Sequence, residues 1–328
     1  MSISRRNLLR SFGYAGLALG LSSCRQPGRT ERVGDAESTA PPSTNPSPSP
    51  TSTPMPEPKV WRPSAGDVSP EVKRAAVGMV EAAGTWETGD GGARRAAQRL
   101  RASGYDPALV TDLGSIVSDD VAATASVVVA QYGGILAEAA SVLIVVEQWV
   151  RGQDGRVGRH GTTLDVRLVA DEPRWVVTNV RAAQPGRRAP TITLAARKVL
   201  NNQRVVLPFA AVRDVRAGAI DDSVLVALSS LSEAHRLDVS ILRSGHPVRV
   251  FGTDRTSNHI DGRAVDIWAI DKQPIIEMGD SRVVADFMRA ASAAGAYQVG
   301  GPTNLDGLGT AYFSDNTHQD HIHLGFTT

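Results

Sequence analysis

Two changes of hydrophobic pattern divide the chain. From Ser69, apolar residues recur at helical spacing, and Ser69-Pro70-Glu71 has the cap, proline and acid typical of a helix start. From Thr124, Val, Ile and Leu instead alternate with polar residues, as in half-exposed antiparallel strands. We predict helices beginning at Ser69, over 91–103 and at Asp106-Pro107, and then strands over 125–132, 139–150, 162–170 and 175–181.

A second α/β pattern begins after a linker, Gln184 to Pro190, which contains proline, glycine and arginine. The apolar spacing predicts helices over 191–201, 222–235 and 281–294, and strands over 238–242, 248–251, 264–269 and 311–313. Helices on one face of a small antiparallel sheet define an α+β domain. The predicted folded domains are therefore 67–188 and 189–328.

The first of these domains has helices followed by an antiparallel meander, and this order resembles cystatin-like or NTF2-like α+β domains. No catalytic constellation is visible in 67–188. We expect it to position the second domain, to bind a protein partner or to form a dimer.

The first residues have the features of an export signal. Ser4-Arg5-Arg6-Asn7-Leu8-Leu9 resembles a twin-arginine signal, and the uncharged run that follows is shorter than the ~20 residues of a membrane-spanning helix. Leu21-Ser22-Ser23-Cys24 resembles a lipobox, which implies cleavage after residue 23 and lipidation of Cys24. Cys24 is the only cysteine, so an intramolecular disulfide is impossible. The expected location is the outer face of the cytoplasmic membrane, facing the cell wall.

Residues 24–66 have the composition of a disordered tether, with nine prolines between Pro41 and Pro63 among Ser and Thr. Removing 1–23 lowers Lys plus Arg from 35 to 32 against 34 Asp plus Glu, which leaves a net charge of −2. With no basic run and few aromatic residues, the chain has no nucleic-acid signature.

Candidate chemistry is concentrated near the C-terminus. His259 and Asp266 lie seven residues apart, and His321-Ile322-His323 follows at the end of the chain. A straight strand would separate His259 from Asp266 by roughly 23 Å, so the two can share an ion only if the chain turns between them, and Asp261-Gly262 is a strong turn signal. Histidine and carboxylate side chains are zinc ligands, but each is also common as a satisfied polar group or turn residue.

The pattern Ser257-x-His259-x-x-Gly262-x-Ala264-x-Asp266 resembles the first signature of zinc D-alanyl-D-alanine carboxypeptidases and their relatives, which include peptidoglycan endopeptidases. Asp320-His321-Ile322-His323 resembles both the later acid-x-x-His motif of that family and the His-x-His variant of related wall endopeptidases. The resemblance covers about residues 190–328 and implies a hedgehog/DD-peptidase fold.

It also implies roles for single residues. His259, Asp266 and His323 would hold Zn²⁺, and Asp320 would be the general base. On a regular strand Asp320 would point away from His321 and His323, so His321 remains a second catalytic candidate, as base or as stabiliser of the tetrahedral intermediate. Ser257 would bind the substrate carboxylate or orient His259.

The implied activity is hydrolysis of the peptide stem of peptidoglycan, as carboxypeptidase or endopeptidase. One departure favours an alternative. The family often has an arginine before the first metal motif, whereas this chain has Pro247 at that position. Arg243, Arg249 and Arg255 lie nearby in sequence and could take its place. The alternative is a wall-binding or regulatory lipoprotein whose zinc site is structural or degenerate.

Overall fold

The computed structural model describes residues 53–327. Cys24, the predicted signal peptide and most of the predicted tether lie outside that range. Residues 53–66 contain no helix or strand, yet Trp61 already packs against a hydrophobic core. Within the described residues, no helix has the length and apolar character needed to cross a membrane.

The N-terminal half, defined here as residues 61–182, has its own hydrophobic core. Its helices are α1 (Pro70–Gly84) and α2 (Ala93–Ala102), with 3₁₀ turns at Pro107–Asp112 and Gly114–Ile116. Its strands are β1 (Ala122–Ile135), β2 (Ala139–Arg151), β3 (Val157–Asp171) and β4 (Arg174–Ala182). The strands pair in sequence order as an antiparallel meander, which leaves β1 at one edge. The predicted helices and meander are present, with somewhat longer strands.

The C-terminal half, residues 192–326, surrounds a second core. Its helices are α3 (Leu194–Asn201), α4 (Phe209–Arg216), α5 (Asp222–Leu231), α6 (Ile275–Met278) and α7 (Arg282–Ala293). Its strands are β5 (Val205–Val206), β6 (Leu237–Ile241), β7 (Ala264–Ile270), β8 (Gln273–Pro274), β9 (Gln298–Gly300), β10 (Tyr312–Phe313) and β11 (Ile322–Gly325). The sheet order is β10-β9-β11-β7-β6-β5, with β8 beside β7. Its centre is antiparallel, whereas β5–β6 and β9–β10 pair in parallel.

One predicted strand is wrong. Residues 248–251 form no strand and take part only in an isolated bridge between Arg249 and Thr256. The chain turns back at once, because Val250 N–H donates to the Arg255 carbonyl at 2.8 Å and Thr253 N–H donates to the Val250 carbonyl at 3.0 Å. The apolar residues here line a loop, and Val248 is 56% exposed.

The two halves meet across the face of the C-terminal sheet that carries polar side chains. Val265 and Ile267 of β7 enter the C-terminal core. Side chains alternate along a strand, so Asp266 points to the opposite face. There it meets the N-terminal half, because the Gln131 side chain of β1 donates to Asp266 Oδ2 at 2.6 Å.

Candidate metal centre

His259 is placed by a tight turn directly before β7. Gly262 has φ of 69°, and a side chain there would lie 2.1 Å from the Ala219 carbonyl oxygen. Only glycine fits both conditions. Gly262 N–H donates to the His259 carbonyl at 3.0 Å. The turn therefore brings the imidazole back toward β7, as the Asp261-Gly262 signal predicts.

Asp266 and His323 are brought together by strand register. His323 of β11 lies directly opposite Asp266 of β7 in the antiparallel pair. Directly opposite residues on one face of such a pair have neighbouring side chains. Ile322 and Leu324 enter the C-terminal core, so His323 faces the same side as Asp266.

Three donor atoms from these residues form a small triangle. His259 Nε2 lies 3.2 Å from Asp266 Oδ1 and 3.3 Å from His323 Nδ1, and His323 Nδ1 lies 2.9 Å from Asp266 Oδ1. Ligands at tetrahedral angles and normal zinc bond lengths lie about 3.3 Å apart. The triangle therefore fits the donor set of a small tetrahedral cation, with the fourth direction open to other groups.

The protonation states of these groups suit metal binding. A carbonyl can only accept, so the 2.7 Å contact to the Leu242 carbonyl places a proton of His259 on Nδ1, and Nε2 is the nitrogen that faces Asp266. Burial lowers the pKa of His323 to about 4, so its ring is neutral at pH 7. Burial alone would raise the pKa of Asp266. The electrostatic attraction of His259 and His321 has the larger effect, and the pKa lies well below its usual range.

His246 is a further nitrogen donor beside this triangle. Its ring stacks on His259 with centroids 4.0 Å apart, and His246, His259 and Asp266 each offer a ligand atom within 4.8 Å of the others. These three residues could hold a metal ion. His246 Nδ1 donates to the Pro247 carbonyl at 2.8 Å, so Nε2 carries a lone pair. Burial, followed by the proximity of His259, keeps the pKa of His246 well below its usual value.

The loop that carries His246 is anchored by the helix α4. Asp214 of α4 is fully buried and accepts from Ser244 N–H at 2.8 Å and from Ser244 Oγ at 2.5 Å. These bonds anchor the loop that continues through Gly245, whose φ is 94°, to His246. His246 therefore lies directly before Pro247, the position at which the family resemblance leads us to expect an arginine.

His321 and Asp320 form a pair at the edge of the triangle. His321 Nδ1 donates to Asp320 Oδ1 at 2.7 Å, and His321 Nε2 lies 3.8 Å from Asp266 Oδ2. The strand β11 begins only at Ile322, which frees Asp320 from strand alternation. Burial would lower the pKa of His321, but Asp266 and Asp320 outweigh it and raise the pKa.

Asp320 lies behind His321 and is enclosed by the N-terminal half. Its Oδ2 accepts from Lys73 Nζ at 2.6 Å and from Tyr132 N–H at 3.0 Å. Burial would raise the pKa of Asp320, yet Lys73 and His321 outweigh it, so the pKa is lowered. With both oxygens engaged, Asp320 is less well placed than His321 to take a proton near the triangle. Of this pair, His321 Nε2 is the nitrogen that lies toward the triangle, 3.8 Å from Asp266 Oδ2.

A cleft of about 630 Å³ opens over these groups. Asp266, His321, His323 and His246 line it, and the end of β1 at Gly133-Gly134 lies along one side. Aromatic and amide groups complete its walls: Phe251, Asn258, Tyr297, Gln298, Phe313 and Asn316. The cleft is large enough for a short peptide.

The predicted substrate contacts, Ser257 and the three substitute arginines, differ in their access to this cleft. Ser257 lines it but is 4% exposed, and its Oγ accepts from His259 N–H at 3.3 Å, which suits the orienting role better than substrate binding. Of the three substitute arginines, Arg255 lines the cleft. Arg243 donates to the Ile260 carbonyl and Arg249 pairs with Asp254.

Sequence reasoning missed four groups at this site. His246 and His318 belong to the cluster of five histidines between residues 246 and 323, a signal that could have suggested them. His318 lines the cleft, and its Nδ1 bonds Asp315 at 2.7 Å. Gln131 and Lys73 come from β1 and α1, and neither has a local sequence signal.

No family model, no curated protein and no solved structure matches this chain. The chemistry of the site therefore rests on its own residues.

Proposed function

We propose that the chain is a zinc-dependent peptidase that cleaves the stem peptide of peptidoglycan, as a D-Ala-D-Ala carboxypeptidase or a related endopeptidase. The observation that carries the proposal is the triangle of His259 Nε2, Asp266 Oδ1 and His323 Nδ1, with His321 Nε2 beside it. On this proposal the C-terminal half has a hedgehog/DD-peptidase-like fold and the N-terminal half a cystatin- or NTF2-like one.

The donor set supports zinc over harder cations. Two imidazole nitrogens and one carboxylate oxygen suit Zn²⁺, whereas Ca²⁺ and Mg²⁺ take mainly oxygen ligands. The His259 contact to the Leu242 carbonyl is the outer partner that zinc-binding histidines usually have. When bound, zinc supplies a Lewis acid and lowers the pKa of a coordinated water.

His321 is the proposed proton carrier. In the neutral form of His321, the Nδ1 proton stays with Asp320, so the lone pair that accepts a proton from water is on Nε2, which faces the Asp266 side. The Asp320 carboxylate then stabilises the imidazolium, and His321 returns the proton to the leaving amine. Asp320 keeps the ring in one tautomer throughout.

The walls of the cleft support an extended peptide as substrate. Aromatic rings and amides there provide apolar contact and hydrogen bonding without a dominant charge. Arg255 is the candidate partner for a substrate carboxylate, and such a partner distinguishes a carboxypeptidase from an endopeptidase.

His246 favours the second candidate function, a wall-binding or regulatory lipoprotein with a structural zinc site. Its Nε2 lone pair lies beside His259 and Asp266. If His246 takes the fourth position, four protein ligands close the site, and closed sites are typical of structural zinc.

Mass spectrometry of purified wall fragments incubated with the zinc-loaded full chain tests the proposal. New free D-alanine identifies a carboxypeptidase, and separated cross-links identify an endopeptidase. We expect one of these products, its loss on chelation and its return with zinc. Unchanged fragments, or activity that survives exhaustive chelation, would contradict a zinc peptidase.

Two matched controls belong in that assay. Asp266→Ala should remove both metal and product, because it deletes a proposed ligand. Asp286→Ala changes an exposed acid of α7 that pairs with Arg282 and Arg289, away from the triangle, and should retain both.

The proposed location follows from residues 1–66: export, lipidation at Cys24 and a proline-rich tether that holds the enzyme near the wall. Cys24→Ser should abolish labelling by radioactive fatty acid, while wild-type protein is labelled. Labelling of the Cys24→Ser protein would show that the lipobox assignment is wrong.

A further inference from the structure

The buried charges between the two halves extend the site beyond its proposed ligands. Lys73, in α1, is 2% exposed, and its ammonium lies between two carboxylates. It bonds Asp320 Oδ2 at 2.6 Å and also Asp67. Lys73 and Asp320 are 247 residues apart, so this contact exists only when the two halves are packed together.

Stability alone gives little reason for a lysine here. Its neighbours on the buried face of α1 are apolar, including Val72, Ala76 and Val80. Replacing a buried ion pair with well-packed apolar residues is often neutral or stabilising, because desolvation offsets the attraction. Lys73 is better explained by what it does to Asp320.

Lys73 and Tyr132 together define the orientation of the Asp320 carboxylate. Both reach Oδ2, which leaves Oδ1 directed at His321 Nδ1. Tyr132 is itself fixed, since its hydroxyl donates to the Ser69 carbonyl at 2.9 Å and accepts from Ser69 N–H at 3.0 Å. The Lys73 ammonium also lies 4.3 Å from the centre of the Tyr132 ring.

We propose that Lys73 is a positioning residue of the catalytic centre, acting through Asp320 to hold His321 with its Nε2 toward the cleft. The inference rests on the proposed function for the role of His321. If Lys73 has this role, the N-terminal half is required for the reaction centre and also forms one wall of the cleft. Lys73 touches neither the proposed ligands nor the cleft, so its loss changes the orientation of the base and leaves zinc binding intact.

The test compares Lys73→Met with Arg74→Met in the full chain. Arg74 is the next residue of α1 and is exposed, so the control removes an equal charge from the same helix turn. For Lys73→Met we expect kcat to fall roughly 10–100-fold, the range for loss of an outer-shell partner. KM and zinc affinity should be unchanged, and Arg74→Met should match wild type.

The tautomer of His321 gives a readout that a merely structural role would not change. In ¹⁵N-detected imidazole spectra recorded at a pH high enough for His321 to be neutral, wild type and Arg74→Met should show the proton on Nδ1, and Lys73→Met a mixture of tautomers. This spectrum needs no turnover. A wild-type chain without peptidase activity would therefore contradict the proposed function, while the spectrum would still decide the role of Lys73.

A second variant protects the test against misfolding. The double variant Lys73→Met with Asp67→Asn removes the negative charge of Asp67 together with the positive charge of Lys73, so less uncompensated charge is buried. It should show the same loss of kcat and the same mixed tautomers. Wild-type kcat and a single Nδ1 tautomer in either folded variant would overturn the inference, as would a rise in KM with kcat unchanged.

Discussion

The two halves of the molecule contribute to the site in different ways. The C-terminal half supplies every donor of the triangle and also His246, from one sheet face and two adjoining loops. The N-terminal half supplies no donor, but Gln131 holds Asp266 and Lys73 holds Asp320. The C-terminal half therefore provides the groups that could hold an ion, and the N-terminal half orients the groups around them.

The largest effect is expected when a proposed zinc ligand of the C-terminal half is removed. Asp266→Ala removes the oxygen that lies closest to both proposed histidine ligands. Zinc affinity should fall by more than the roughly 10–100-fold typical of outer-shell changes. Competition with a chromophoric chelator measures it. Zinc binding at wild-type affinity by Asp266→Ala would place the metal elsewhere.

The next effect separates proton transfer from binding. His321→Ala should retain zinc and lose turnover by on the order of 10²–10⁴-fold, as expected for a general base. Asp320→Asn should cost less, because the base remains and only its orientation suffers. Metal content and rate are measured on the same preparations. If Asp320→Asn is inactive with zinc bound while His321→Ala turns over normally, Asp320 is the base.

A smaller effect is expected when the N-terminal half loses its hydrogen bond to the proposed ligand Asp266. Gln131→Leu leaves Asp266 Oδ2 without its 2.6 Å donor, and zinc affinity should fall roughly 10–100-fold. Gln148→Leu is the matched control, a buried glutamine of the same sheet whose side-chain amide donates to the Gly84 and Ile116 carbonyls. It should lower thermal stability without changing zinc affinity. Equal losses of affinity in both would indicate a general effect of folding.

The smallest effect concerns Ser257. Ser257→Ala removes one hydrogen bond to His259 N–H and should lower stability by about 1 kcal/mol. If the serine only orients the turn, KM for stem peptides stays unchanged. A large rise in KM with normal stability would assign Ser257 to substrate binding.

Local chemistry made much of the C-terminal site predictable. The Asp261-Gly262 turn and the alternation around Asp266 follow from φ preference and strand period, and both are present. The same reasoning failed for residues 248–251, where an apolar run lines a loop. Lys73 could not be predicted, because a lysine on a helix is normally exposed and only the packing of the two halves reveals its partner. His246 depends on an anchor from α4, a helix that the pattern did not reveal.

The most direct test of the central claim is a crystal structure of the zinc-loaded full chain with anomalous diffraction at the zinc edge. The account predicts one peak within about 2.0–2.2 Å of His259 Nε2, Asp266 Oδ1 and His323 Nδ1, with a water in the fourth position. A peak held by His246, His259 and Asp266 without His323, or a fourth position filled by His246, would contradict an open catalytic site.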